Sequence, residues 1–149
     1  RHAIERDEMS LAYQPIVSLG EGRLLGFEAL LRWNHPEFGS IAPSRFIPIA
    51  ESADLIQPMT VWILAQSTRQ IGAWQKISPD YADLVVSVNI SGKHLSNEAL
   101  ADDVESAIDA AGIHPSTLLL EITESSAMEN AEGTISLLNG LKQIGVRLS

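Results

Sequence analysis

The chain has no cysteine in its 149 residues. Disulfides and thiolate metal sites are therefore excluded, and any metal must sit on oxygen or imidazole. Basic residues are scarce: 10 Lys and Arg stand against 19 Asp and Glu, a formal charge of −9. A surface for a nucleic-acid polymer needs the opposite balance, so no such partner is expected. A small phosphorylated ligand held through a metal remains compatible with that charge. Long apolar runs are missing too. None approaches the roughly 18 residues of a membrane span, and no signal-peptide pattern is visible. A cytoplasmic location is expected, with tethering to a membrane left to another domain of a parent protein. What is present is a 45% apolar composition, ordinary for one globular domain with its own core.

Periodicity and breakers divide the chain into alternating pieces. The polar stretch RHAIERDEMS, residues 1–10, reads as a helical linker end that precedes the domain. LAYQPIVSL and LLGFEALLRW read as strands around the GEGR turn, with a loop over 34–39. SRFIPIAESADLI reads as a short helix interrupted near Pro48, and apolar residues recur at helical spacing from Met59 to Trp74. LVVSVNIS, residues 84–91, is the clearest strand. An acidic amphipathic helix follows over 97–111, with Ser96 or Asn97 as its cap and Gly112 as its stop. LLLEIT, residues 118–123, is another buried strand, a helix spans 129–144, and VRLS opens one more strand. Near-continuous apolar strands alternating with helices imply a parallel sheet covered by helices. The expectation is an α/β domain over 11–149 that stops shortly after its last strand begins, about half of a larger domain.

Three of these strands carry polar residues among their apolar ones. Strand side chains alternate between faces. Glu28, Leu30 and Arg32 therefore share one face, Ser87, Asn89 and Ser91 another, and Leu119, Glu121 and Thr123 a third. Parallel sheets and barrels place their sites at the carboxyl ends of the strands, where Glu28, Asn89 and Glu121 could converge. Two carboxylates facing one cavity repel, so one takes a proton or both share a cation. Mg²⁺, Mn²⁺ and Ca²⁺ prefer such carboxylate and amide oxygens, and zinc fits less well because no His lies in these strands.

Each residue taken alone has a plainer reading. Glu28 can pair with Arg32 as a structural ion pair, and Asn89 can cap a turn. Glu121 and Glu124 can open a helix N-terminus, while Gln14 can be an ordinary exposed strand residue. His2, His35, His94 and His114 all lie in polar or loop contexts, which points to solvent-exposed roles. Three polar insertions at equivalent places in successive strands nevertheless argue together for a site.

The motifs YQPIVSL, GFEALLRWNHPEFGSIAPSRFIPIAESADLI, VSVNIS and LEITES resemble, in order and spacing, those of EAL domains, bacterial cyclic di-GMP phosphodiesterases named for a triplet matched by Glu28-Ala29-Leu30. The bare triplet is common by chance; the extended pattern is specific and runs from about Leu11 to the last residue. The resemblance implies a TIM-like (β/α)8 barrel with an antiparallel first strand, here truncated after about the fifth strand. It also implies hydrolysis of cyclic di-GMP to linear pGpG with two Mg²⁺ or Mn²⁺ ions, as in second-messenger signalling and biofilm control. Glu28, Asn89 and Glu121 match metal ligands, with Glu28 and Glu121 thereby catalytic. Arg32, Gln14 and Leu30 match substrate-binding positions, and Glu124 matches a supporting acid.

The family pattern continues with an Asp-Asp-Phe-Gly-Thr-Gly loop, a lysine and a further glutamate, none of which follows GVRLS here. The chain as given is thus expected to be inactive, with an incomplete two-metal site and an unfinished sheet that favours homodimers or self-association. The parent is expected to be a phosphodiesterase, with a non-catalytic cyclic di-GMP receptor as the alternative. An upstream GGDEF or sensory domain would suit the polar start.

Overall fold

Every strand among the described residues joins one mixed sheet. In the computed structural model, which describes residues 2–95, 99–122 and 131–149, β1 (Met9–Val17) runs antiparallel to β2 (Leu24–His35), with Gln14 opposite Glu28. A short β3 (Gly39–Ile41) folds back on the end of β2. Beyond β2 the pairing is parallel, through β4 (Val85–Ile90), β5 (Leu118–Ile122) and β6 (Arg147–Leu148). The order β1-β2-β4-β5-β6 follows the chain, with β3 off that path. The antiparallel first strand and the five-strand path agree with expectation.

The connections are helical: α1 (Pro43–Ser52) and α2 (Ile56–Gln75) lead from β3 to β4, α3 (Gly92–Leu95) and α4 (Ala99–Ala111) from β4 to β5, and α5 (Ala131–Ile144) precedes β6. Pro43 begins α1, where its missing N–H costs nothing. Gly112 stops α4 at φ +64, its N–H reaching the Ile108 carbonyl at 2.9 Å, the left-handed cap that glycine adopts without strain. Among the described residues no helix is long and apolar enough to cross a membrane.

Alternation sorts the two faces of the sheet. Val86, Val88 and Ile90 of β4 and Leu118 and Leu120 of β5 are buried with Leu64 and Ile71 of α2, Leu100 and Val104 of α4, and Leu141 of α5. The helices therefore cover one face, and the polar set Glu28, Ser87, Asn89 and Glu121 belongs to the other. The buried stripe of α2 is Leu64, Ser67, Thr68, Ile71 and Gly72, a helical repeat with small members. Those small residues admit α4 closely enough for Thr68 Oγ1 to donate to the Ala107 carbonyl at 3.1 Å. A second cluster of Leu31, Phe46, Ala50 and Met59 seats α1 over the end of β2, with the Trp33 ring edge-on to Phe46 at 5.5 Å.

Four local expectations are corrected. Residues 3–7 are turns rather than a helix, with Asp7 at φ 54, and Met9 and Ser10 already belong to β1. Glu8 anchors this segment: its carbonyl accepts from the Asn34 N–H and its carboxylate from the Trp33 indole, both at 2.9 Å. The loop over 34–39 is mostly a hairpin, because Gly39 at φ +67 turns the chain back into β3. Helix α1 continues through Pro48. Only the Ser44 carbonyl one turn earlier loses its N–H partner, and Ser44 is exposed. Finally, His94 is buried at 1% exposure instead of facing solvent, because α3 docks it beside the equally buried Leu95. The expected cap at Ser96 or Asn97 and the helix start at 129 lie outside the described residues.

Two predictions follow from this packing. A Cβ on Gly26 would stand 2.0 Å from the Val85 carbonyl oxygen of the neighbouring strand, so neither backbone can yield cheaply. Gly26→Ala is expected to cost at least ~2 kcal/mol, read as a lowered urea midpoint. His94 has neither ring nitrogen hydrogen-bonded among the described residues, and Asp103 Oδ2 stands 3.7 Å from its Nε2. Burial pushes the His94 pKa below its ordinary 6.5, partly opposed by the Asp103 charge. The unfolded chain thus takes up this proton at higher pH than the folded one. Stability from neutral His94 is complete above pH 6.5 and is lost as pH falls toward the folded value. His94→Gln should therefore flatten the decline in urea midpoint between about pH 7 and pH 5; an unchanged slope contradicts the assignment.

Candidate functional site

Strand β4 lies between β2 and β5, and two of its polar side chains reach in opposite directions. Asn89 Nδ2 donates to Glu28 Oε1 at 2.8 Å on one side. Ser87 Oγ donates to Glu121 Oε1 on the other. Glu28 is level with Ser87 in the strand register, and Glu121 is level with Asn89. Both hydrogen bonds therefore run diagonally, and both carboxylates meet the strand between them. Their strands are two spacings apart, about 10 Å, and the two-residue offset along them lengthens the backbone separation to about 12 Å, a gap that two inward-leaning glutamates can narrow. Three residues singled out by alternation alone, Glu28, Asn89 and Glu121, are thus brought onto one polar patch.

A cavity of about 410 Å³ opens beside this patch, between the sheet end and helices α1 and α2. Leu30, Ile47, Ile56 and Met59 give it an apolar wall, and Arg32, Glu51, Asn89, Ser91 and Glu121 give it polar groups. Glu28 and Gln14 are not among its lining residues; Glu28 meets it through Asn89, and Gln14 is exposed on β1 opposite Glu28. Glu124 lies outside the described residues.

The plainer reading of Glu28 as the ion-pair partner of Arg32 is not realised. Arg32 Nη1 donates to the Leu31 carbonyl at 2.9 Å and takes part in no ion pair among the described residues. A half-buried guanidinium without a carboxylate, on a cavity wall, suits an anionic oxygen of a ligand.

Sequence reading missed Glu51. This α1 residue accepts a hydrogen bond from Ser91 Oγ at 2.5 Å, and its backbone carbonyl accepts from Lys93 Nζ. Lys93 also pairs with Asp54 at 3.4 Å. These contacts tie the end of α1 to the turn after β4 and hold the apolar wall over the polar patch. A helical Glu has no alternation to betray it; only the docking of α1 reveals its place.

The donor set agrees with a hard divalent cation. Two carboxylates and one amide supply only oxygen donors, and each carboxylate has a second oxygen beyond the one its β4 partner engages. An amide that gives its N–H to Glu28 still has an oxygen to offer. Among the described residues no three His, Cys, Asp or Glu side chains gather as a metal group, so Asn89 is needed as a third donor and the set alone does not fill a six-coordinate shell.

Comparison with known proteins identifies the family of the chain. A family model described as the EAL domain matches residues 1–149. The chain is 39% identical over its whole length to the bifunctional diguanylate cyclase/cyclic di-GMP phosphodiesterase MucR of Pseudomonas aeruginosa, and covers 22% of that protein. It is 37% identical over its whole length to the cyclic di-GMP phosphodiesterase NbdA of the same organism, covering 19% of it. It superposes with a TM-score of 0.93 on the MucR phosphodiesterase in complex with cyclic di-GMP, at 38% identity, covering 99% of this chain and 59% of that one. The EAL enzyme Bd1971, bound to cAMP and cyclic di-GMP, gives 0.89 at 31% identity, covering 99% of this chain and 40% of that one. The chain thus spans about a fifth of these curated relatives and at most some three-fifths of these solved chains. By its motifs, its sheet order and these likenesses, the chain belongs to the EAL domain family.

Proposed function

We propose that the protein carrying this domain hydrolyses cyclic di-GMP to linear pGpG. The observation that supports this most is the pair of carboxylates held from β4, beside a cavity that also presents Arg32, which joins no ion pair among the described residues. Glu28, Asn89 and Glu121 would hold Mg²⁺ or Mn²⁺. Such an ion polarises a phosphate and acidifies a bound water. Arg32 would neutralise non-bridging phosphate oxygens as charge accumulates there. Leu30, with Ile47 and Met59, offers a guanine base an apolar surface, and Gln14 offers an amide at the rim. In the overall reaction water adds at one phosphorus and one ribose oxygen leaves, opening the ring. Glu124 is assigned a supporting role from its motif alone.

The formal charge of −9 does not oppose an anionic substrate, because a bound divalent ion reverses the local sign. An upstream GGDEF or sensory unit would supply regulation in the longer protein. A domain that binds cyclic di-GMP without cutting it would use the same cavity, so turnover is the discriminating quantity. The full-length protein with Mg²⁺ is expected to release pGpG, followed by chromatography. Glu28→Ala should lower that rate by at least about 100-fold while leaving the fold intact. Tight binding of cyclic di-GMP by the wild type with no pGpG release overturns the enzymatic reading in favour of a receptor.

A further inference from the structure

We propose that Ser87 is a positioning residue for the cation site, fixing which oxygen of Glu121 faces the cavity. This rests on the reading of Glu121 as a ligand. Ser87 is fully buried at 0% exposure, unlike Asn89 two residues further along the same face, which is exposed. A hydroxyl in that setting needs a partner, and it has one: its Oγ donates to Glu121 Oε1.

The consequence is orientational. A glutamate side chain has three rotatable bonds, and a hydrogen bond to one carboxylate oxygen locks the last of them. The engaged Oε1 is turned toward β4; Glu121 lines the cavity, and the oxygen it has left to offer a cation there is the second one. Asn89 holds Glu28 in the matching way from the same strand. A rigid β-strand thereby sets both acids before any cation arrives, and the ordering cost falls on folding instead of binding. Partners of this kind change metal affinity by about 10- to 100-fold when removed.

The bland alternative is that Ser87 merely fills a small buried space. Two substitutions separate these roles. Ser87→Ala removes the donor, and Ser87→Cys keeps a side chain of similar size with a weak donor. Mn²⁺ titration of the full-length protein by calorimetry, without substrate, reads the effect apart from turnover. Positioning predicts that both variants bind Mn²⁺ about 10- to 100-fold more weakly than wild type, with apo melting temperatures close to it. A space-filling role predicts that Ser87→Cys binds like wild type, and that result overturns the proposal, as does wild-type affinity in Ser87→Ala. Should Ser87→Ala fail to fold, Ser87→Cys alone still decides. Glu121→Gln in the same titration tells the two failures apart. If it loses Mn²⁺ while the Ser87 variants keep it, only the positioning role falls. If it too binds as wild type, the cation reading of the site falls with it.

Discussion

Two diagonal hydrogen bonds from the middle of β4, Asn89 to Glu28 and Ser87 to Glu121, are the interactions around which the site is built. The two carboxylates flank β4 from either side; like charges repel, and each would turn toward water if nothing held it. A strand that offers a donor to each side answers that repulsion without introducing a compensating charge into the sheet. This keeps both acids available to a cation. An arginine in the same place would have neutralised them and ended their usefulness.

The other face of the sheet makes this arrangement stiff. Val86, Val88 and Ile90 are buried against helices that also bury Leu118 and Leu120, so β4 and β5 cannot slide relative to each other without exposing several large side chains. Register between Asn89 and Glu121, and between Ser87 and Leu119, is thus set by apolar packing on the side away from the chemistry. The α1–α2 lobe adds the cavity wall and is pinned by Ser91 and Lys93 to Glu51. Function on one face depends on burial on the other.

Much of this was legible in the sequence because strand alternation is a strong code. VVSVNI has valine or isoleucine at every second position, so Ser87 and Asn89 must point away from the helix-covered face of the sheet. The same logic placed Glu28 and Glu121. What alternation does not encode is relative height between strands that are far apart in the chain, and so the diagonal pairing of Ser87 with Glu121 was invisible. The burial of His94 is hidden for a related reason: its neighbours Lys93 and Ser91 look like a loop, and only the docking of α3 carries the ring inward. The turn in the polar start is hidden too, because Glu8 fixes it by reaching Trp33, 25 residues away. Local propensity sees none of these long-range contacts.

The central claim is that Glu28, Asn89 and Glu121 together face a divalent cation. Anomalous diffraction from crystals of the full-length protein grown with Mn²⁺ tests it most directly. A manganese peak about 2.2 Å from oxygens of Glu28, Asn89 and Glu121 is predicted. Manganese bound elsewhere in the domain, with these three side chains still paired only across the β2–β4 and β4–β5 seams, Asn89 to Glu28 and Glu121 to Ser87, contradicts it.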